Sequence, residues 1–132
     1  MEKVDQINKI YSREIICDVY CEDESDKLSN LELLKDLCMK SLSESKCEAV
    51  KERNCWYQFD NTKDNTLHQK GGITGVIILQ ESHFHISTWP EDNFFQLNIN
   101  TCGDKAKPMR ALHEIIRHFN ISDYTFDIIK RG

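Results

Sequence analysis

The chain has 132 residues, of which 39% are hydrophobic and 30% are charged, and its formal net charge is −5. This size predicts one compact domain over residues 1–132, because a second core would be too small to fold alone. The acidic charge argues against a nucleic-acid partner. No apolar run is long enough to cross a bilayer and the first residues lack the pattern of a signal peptide, so we expect no membrane partner and a cytoplasmic location.

Six cysteines are many for this length, and they are Cys17, Cys21, Cys38, Cys47, Cys55 and Cys102. Because the sequence has no secretory signal, we expect reduced thiols rather than disulfides. No Cys-x-x-Cys pair is present, and Cys17 and Cys21 fall on one face of a predicted strand. We therefore expect no metal site, and we interpret most of these thiols as small core residues.

In chain order, residues 15–21 alternate between apolar and polar types, which predicts a first strand buried on one face. The run Ser29-Asn30-Leu31-Glu32 has the form of a capping box and predicts a helix over residues 29–45. Residues 47–59 predict a second strand. The polar residues 60–70 predict an exposed loop of the kind that can form a lid.

The second half of the chain contains five further predicted elements. Residues 73–79 and 84–89 predict two strands joined at Gln80-Glu81-Ser82, and residues 95–99 predict a third. Pro108 opens a helix that ends before Asn120, and residues 124–128 predict a final strand. This order predicts an α+β fold, a two-layer sandwich in which two helices pack on one face of a mainly antiparallel sheet.

Several polar residues lie close to the predicted junction. His83, His85 and Ser87 share one face of a strand, and we expect Cys102 on the polar face of a nearby strand. Cysteine and histidine side chains on one surface suggest nucleophilic chemistry. Polar strand faces that meet water also hold histidines without any function. The local pattern leaves both interpretations open.

A longer set of motifs resembles the short prokaryotic S-adenosylmethionine decarboxylases. The motifs are the run from Glu81 to Glu91 (ESHFHISTWPE), Thr101-Cys102-Gly103-Asp104, and the preceding Gly72-Ile73-Thr74-Gly75-Val76. Residue types and separations both match over about residues 72–104. The strand and helix near the start and the helix and strand at the end agree with the family's order of elements.

The resemblance implies that the chain cuts itself between Glu81 and Ser82. In the family, the peptide bond before this serine rearranges to an ester, and elimination then leaves a pyruvoyl group on the new terminus. The substrate amine forms a Schiff base with this group, which accepts the electrons left when carbon dioxide departs. The resemblance therefore implies a self-derived pyruvoyl cofactor, S-adenosylmethionine as substrate, and a role in spermidine and polyamine biosynthesis.

The resemblance also assigns roles to other residues. Cys102 matches the family's proton donor, a role that suits a thiol because it is largely protonated at neutral pH. Thr74 matches a hydroxyl that assists cleavage, and Glu91 matches a carboxylate that accepts hydrogen bonds from the ribose. The family stacks the adenine on aromatic rings, for which the candidates here are Trp56, Tyr57 and Phe59.

One position departs from the family pattern. The family usually has a histidine five residues after the pyruvoyl serine, where it removes the α-proton during cleavage, and this chain has Ser87 there. His85 stands two residues earlier, where the family commonly has a small residue. The two positions lie about 6–7 Å apart along a strand, which is large against hydrogen-bond reach. Three outcomes stay open: His85 replaces the usual base, cleavage is slow, or the chain remains whole.

The resemblance further implies a homodimer with its sites near the interface. Two alternatives to decarboxylation of S-adenosylmethionine stay open at this point. A related enzyme would act on arginine or ornithine, because pyruvoyl chemistry requires only an α-amine and a carboxylate. An uncleaved chain would instead bind S-adenosylmethionine or regulate a catalytic partner.

Overall fold

The computed structural model describes residues 10–60, 70–103 and 105–132, so most of the predicted loop over residues 60–70 lies outside the described residues. All eight predicted elements are present. In chain order the elements are β1 (Ser12–Cys21), α1 (Ser25–Leu28), α2 (Leu31–Glu44), β2 (Ala49–Asp60), β3 (Lys70–Leu79), β4 (Ser82–Trp89), a 3₁₀ turn (Pro90–Asp92), β5 (Phe94–Thr101), α3 (Pro108–Ile116) and β6 (Ile121–Arg131).

The six strands form one sheet in the order β2-β3-β4-β5-β1-β6, and each pair of neighbours is antiparallel. Alternate residues of the strands point to one face, where they join the buried side chains of the helices in one core. This arrangement confirms the predicted α+β fold, with helices on one face of an antiparallel sheet. No helix in the described part of the chain is long and apolar enough to cross a membrane.

Four of the six cysteines belong to this core, as predicted. Burial raises the pKa of Cys17 to about 12, and a smaller contribution comes from the nearby carboxylate of Asp18. Burial likewise raises the pKa of Cys21 and of Cys47 to about 11. All six cysteines are free thiols, but only Cys55 and Cys102 are exposed. These two are therefore the thiols that a substrate or reagent can reach.

The start of α2 differs from the predicted capping box by one residue. The side-chain oxygen of Asn30, not that of Ser29, accepts a hydrogen bond from the N–H of Leu33. Ser29 instead follows α1, a one-turn helix that was not predicted. This helix is held by its buried Leu28, whose carbonyl oxygen accepts a 2.7 Å hydrogen bond from the hydroxyl of Thr88 on β4.

The end of α3 also differs from the prediction. The helix ends at Ile116, and the chain continues in a turn before β6. Phe119 nevertheless stays buried, because its ring packs against that of Phe95 with 4.8 Å between the centroids. The helix is therefore shorter than predicted, although Phe119 beyond its end still belongs to the core.

Gly75 on β3 leaves room for the indole ring of Trp56, its partner on β2. A Cβ atom at position 75 would run into that ring. We expect Gly75→Ala to lower the free energy of unfolding by about 1–3 kcal/mol, because a filled core has no space for another methyl group. Urea denaturation measures this change. In a Trp56→Ala background the cost should fall sharply, and an unchanged cost would show that the indole ring is not its cause.

Candidate active site

The turn between β3 and β4 holds the first group of predicted site residues. Glu81 lies in this turn and Ser82 begins β4. The Ser82 hydroxyl lies 3.1 Å from Nδ1 of His83. The Cys102 thiol donates a hydrogen bond to the backbone carbonyl oxygen of Glu81, with 3.0 Å between sulfur and oxygen. A hydroxyl, an imidazole and a thiol therefore surround the bond between residues 81 and 82.

The side chain of Glu81 points toward the protein interior. Its Oε2 is buried and has no hydrogen-bond partner among the described residues. Burial is the main cause of the raised pKa of Cys47, and the Glu81 carboxylate raises it further, which places the two groups close together.

The second group lies on the face of the sheet that the helices do not cover. We call this surface the open face. It is formed by the strand residues whose side chains point to the same side of the sheet as Thr74, Ser87 and Gln96, which pair with one another across β3, β4 and β5. Ser87 Oγ lies 2.9 Å from Nε2 of His85 and 3.1 Å from Oγ1 of Thr74. The two hydroxyls and the imidazole thus form a continuous hydrogen-bonded row.

The environment of His85 favours its neutral form. Burial lowers the pKa of this imidazole, and the neighbouring His83 lowers it further. Both effects disfavour a positive charge on the ring. Neutral imidazole is the form that accepts a proton, so His85 remains available as a base at pH values below the ordinary range of histidine.

Glu91 is exposed in the 3₁₀ turn that follows β4. Ser82 is at the other end of this strand. Asn93 closes this turn in a left-handed conformation with a φ of 49°. Its side-chain oxygen accepts the N–H of Glu24 at 2.7 Å, and its backbone oxygen accepts the N–H of Cys21 at 2.7 Å. The role of Asn93 in closing this turn was not predicted. The sequence does indicate it, because an asparagine directly after Pro-Glu-Asp tolerates the left-handed backbone that ends such a turn.

We expect Asn93→Ala to lower the free energy of unfolding by about 1–3 kcal/mol, because alanine is strained in this conformation and the bond to Glu24 is lost. Asn93→Gly is the matched variant, since glycine keeps the left-handed backbone and removes only the side-chain bond. Urea denaturation of both variants should show the larger loss for alanine. Equal losses would mean that the backbone conformation contributes nothing.

A row of three aromatic rings lies on the open face at the Glu91 end. The ring of Phe94 lies 5.5 Å from that of Trp89 and 4.9 Å from that of Tyr20, measured between centroids. The sequence motif contains Trp89, but its place in this row depends on the pairing of β4 with β5 and of β5 with β1. These rings were not among the predicted adenine-binding candidates.

The structure separates the three rings that were predicted to stack on adenine. Tyr57 and Phe59 lie together on the open face, with 4.9 Å between their centroids, and both are exposed. Trp56 points to the helix-covered face, where it packs over Gly75. Only Tyr57 and Phe59 therefore share a surface with His85 and the other open-face residues.

One chain does not bring all the predicted site residues together. Ser82 and Ser87 are five residues apart on one strand, which corresponds to about 16 Å. Glu91 follows the far end of the same strand, which extends about 23 Å from Ser82 to Trp89 by the same rise per residue. Cys102 and Glu81 lie with Ser82, whereas Thr74 and His85 lie with Ser87. In residues 10–60, 70–103 and 105–132 no cluster of histidine, cysteine or acidic side chains is arranged to hold a metal ion.

Comparison with known proteins identifies the family. Residues 13–132 match the family model described as S-adenosylmethionine decarboxylase. A protein of Aquifex aeolicus (strain VF5) named S-adenosylmethionine decarboxylase proenzyme is 31% identical over 118 residues, which are 89% of this chain and 78% of the relative. A relative of the same name from Thermoanaerobacter sp. (strain X514) is 31% identical over 120 residues, 91% of this chain and 87% of the relative.

A solved structure agrees with these matches. The crystal structure of the adenosylmethionine decarboxylase from Aquifex aeolicus VF5 superimposes with a TM-score of 0.78 and 29% identity, over 94% of this chain and 92% of that one. The match therefore extends well beyond the motifs around Ser82 and includes the helices and the outer strands. The chain belongs to the S-adenosylmethionine decarboxylase family.

Proposed function

We propose that this member of the family decarboxylates S-adenosylmethionine after cutting itself between Glu81 and Ser82. The observation that carries the proposal is the 3.0 Å contact from the Cys102 thiol to the Glu81 carbonyl oxygen, because it joins the proposed proton donor to the bond that is cut. Both relatives described above are named as proenzymes. Action on arginine or ornithine is not favoured, since the matched family and relatives are all named for S-adenosylmethionine.

The wider role follows from the product. Decarboxylated S-adenosylmethionine donates aminopropyl groups, so we place the enzyme in spermidine and polyamine biosynthesis. A cytoplasmic location is supported by the six free cysteines, because thiols persist in a reducing compartment.

The residues around Ser82 fit its conversion into a pyruvoyl group. Such a group supplies the electron sink that amino acid decarboxylation requires and that no ordinary side chain offers. The hydroxyl oxygen of Ser82 must attack the carbonyl carbon of Glu81, which is the residue directly before it. Cys102 is exposed and already donates its S–H beside this bond, so it is placed to return a proton to the substrate carbon.

In a homodimer, His85 of one copy serves as the base for the elimination step at Ser82 of the other copy, although Ser87 occupies the expected position. When the His85 ring carries its own proton on Nδ1, the Ser87 hydroxyl donates to Nε2 and accepts from Thr74. A proton that reaches the oxygen of Ser87 can then pass on to His85 without a shift of the strand. This row of groups supports the proposal that His85 takes over the role that the family gives to the position of Ser87.

The separation of Ser82 from Glu91 supports a homodimer. In S-adenosylmethionine only a short chain through the sulfonium sulfur joins the amino acid to the ribose. One substrate therefore cannot reach both ends of β4, which lie about 23 Å apart. A two-fold axis that crosses the strands would bring the Ser82 end of one copy against the Glu91 end of the other. Each of the two sites is then built from both chains.

The open face has the character of a surface that a second copy covers. It carries large apolar side chains that are 37–62% exposed, and these are Ile16, Tyr20, Tyr57, Phe59, Val76, Ile78, Trp89 and Ile129. Polar residues of β4 and β5 lie among them, but so many exposed apolar side chains on one face of a sheet are typical of a surface that binds another protein. Pairing of two open faces would remove these side chains from water and enclose Thr74, His85 and Ser87 between the sheets.

The same pairing places aromatic rings around the substrate. Trp89, Tyr57 and Phe59 are on the open face, and Trp89 is two residues from Glu91. We therefore assign adenine stacking to open-face rings near the residue that holds the ribose. Trp56 takes no part in this proposal, because it packs on the other face of the sheet.

Denaturing mass spectrometry of the purified protein tests self-cleavage. We expect fragments 1–81 and 82–132 in place of the 15.5 kDa chain. Release of labelled carbon dioxide from S-adenosylmethionine then tests the reaction, with labelled arginine and ornithine as controls. A cleaved preparation that releases nothing from S-adenosylmethionine would overturn the proposed substrate. A chain that is never cut would support the interpretation as an uncleaved binding protein instead.

A further inference from the structure

The side chain of His83 contacts the hydroxyl of Ser82, and no step of the proposed reaction described so far involves it. Its Nδ1 lies 3.1 Å from the hydroxyl oxygen of Ser82. Its backbone is fixed within β4, between Ile78 on β3 and Asn100 on β5. The ring itself is exposed. An imidazole with a fixed backbone therefore stands beside the hydroxyl that must attack the preceding carbonyl.

We propose that His83 is the general base of the first step of self-cleavage, in which the peptide bond before Ser82 rearranges to an ester. This inference rests on the proposed function, since it concerns the cut between Glu81 and Ser82. A free serine hydroxyl is a weak nucleophile and is activated when an adjacent base accepts its proton. Nδ1 of His83 lies within the distance that such a transfer requires.

The step balances within a single chain. Nδ1 of His83 takes the hydroxyl proton of Ser82 while Oγ bonds to the carbonyl carbon of Glu81. The carbonyl electrons move to oxygen, which already accepts a hydrogen bond from Cys102 and is stabilised by it as negative charge develops. The bond from this carbon to nitrogen then breaks as His83 passes the same proton to the nitrogen of residue 82. The products are an ester and a free amine, and no other reactant is consumed.

His85 of the same chain is not placed for this step. Position 85 is three residues from Ser82, about 10 Å along the strand. Its Nε2 is already hydrogen-bonded to Ser87. The two histidines therefore divide the reaction. His83 of the same chain acts in ester formation, and His85 of the second copy in the proposed dimer acts in the elimination that follows.

The test separates these two steps. In a His85→Ala background we expect the ester to accumulate, because elimination lacks its base. Hydroxylamine attacks an ester but not an ordinary peptide bond, so the hydroxamate formed at Glu81 measures the amount of ester by mass spectrometry. Adding His83→Ala should slow ester formation by about a hundredfold or more, the usual contribution of a positioned base. Added imidazole should restore part of this rate.

Two further variants distinguish a base from a side chain that only orients Ser82. His83→Asn offers an oxygen near the place of Nδ1, so it can hold the hydroxyl but cannot take its proton. We expect it to be as slow as His83→Ala. His118→Ala is the matched control, since it removes an exposed imidazole after α3 and should leave the rate unchanged.

The outcomes identify which proposal has failed. Ester formation within about twofold of the His85→Ala rate in either His83 variant would overturn the role of His83. A wild-type chain that is never cut would overturn the proposed function itself. The single variant His83→Ala tests the same role without His85→Ala. The rate at which it forms fragments 1–81 and 82–132 is compared with the rate of the wild type. Circular dichroism of each variant shows whether it is folded.

Discussion

Ser82→Ala should leave the protein as an intact chain of 15.5 kDa and abolish release of carbon dioxide from S-adenosylmethionine. Alanine has no hydroxyl to attack the carbonyl of Glu81, so no ester forms and the chain cannot be cut. Without cleavage no carbonyl group arises at residue 82, and no other side chain supplies an electron sink. The loss should therefore be nearly the whole enzymatic acceleration, at least about a millionfold.

Two variants serve as controls for this result. Ser43→Ala removes a hydroxyl from an exposed position on α2 and should be cut as fast as the wild type. Ser82→Thr keeps the hydroxyl, and the same steps would leave a keto group with one additional methyl on the smaller fragment. Its mass identifies the residue that is converted. Release of carbon dioxide by uncut Ser82→Ala would show that decarboxylation does not depend on self-cleavage.

The sequence predicted the fold well because most of its signals are local and periodic. Alternation marked β1, the capping motif marked the start of α2 to within one residue, and Pro108 marked the start of α3. The one-turn helix α1 was missed because four residues are too few to show a period. Its place depends on a distant hydrogen bond, from Thr88 to the carbonyl of Leu28.

The site was harder to predict because its geometry depends on which face each strand residue occupies. Trp56 and Tyr57 are neighbours in sequence but lie on opposite faces of β2. The register of β2 with β3 changes between Ala49 and Asn54, and Glu52 between them has a φ of 62°. No periodicity in the sequence indicates such an irregularity, which fixes the face of every residue that follows.

The exchange of His85 and Ser87 shows the same limit. The sequence places the two positions about 6–7 Å apart along the strand, which suggests that one cannot replace the other. The structure closes this distance through the side chains, since Nε2 of His85 reaches to 2.9 Å from Ser87 Oγ. Backbone spacing alone does not predict contacts of a side chain as long as histidine.

A mixed dimer of Ser82→Ala and Glu91→Ala chains should be active although neither variant is fully active alone. Glu91→Ala loses a charged acceptor for the ribose hydroxyls, which weakens binding in the transition state by about 1.5–3 kcal/mol. If each site takes Ser82 from one chain and Glu91 from the other, one site of the mixed dimer loses both residues and the other site keeps both. We therefore expect about half of the wild-type rate.

The mixed dimer is obtained by co-expression with two different tags and successive purification on each, and carbon dioxide release is measured at a substrate concentration below KM. Dimers of each variant alone are the controls. If every site were complete within one chain, the mixed dimer would have no more than half of the Glu91→Ala activity. That result would overturn the site built from two chains but would leave the chemistry at Ser82 and Cys102 in place, because those residues already lie together in one chain.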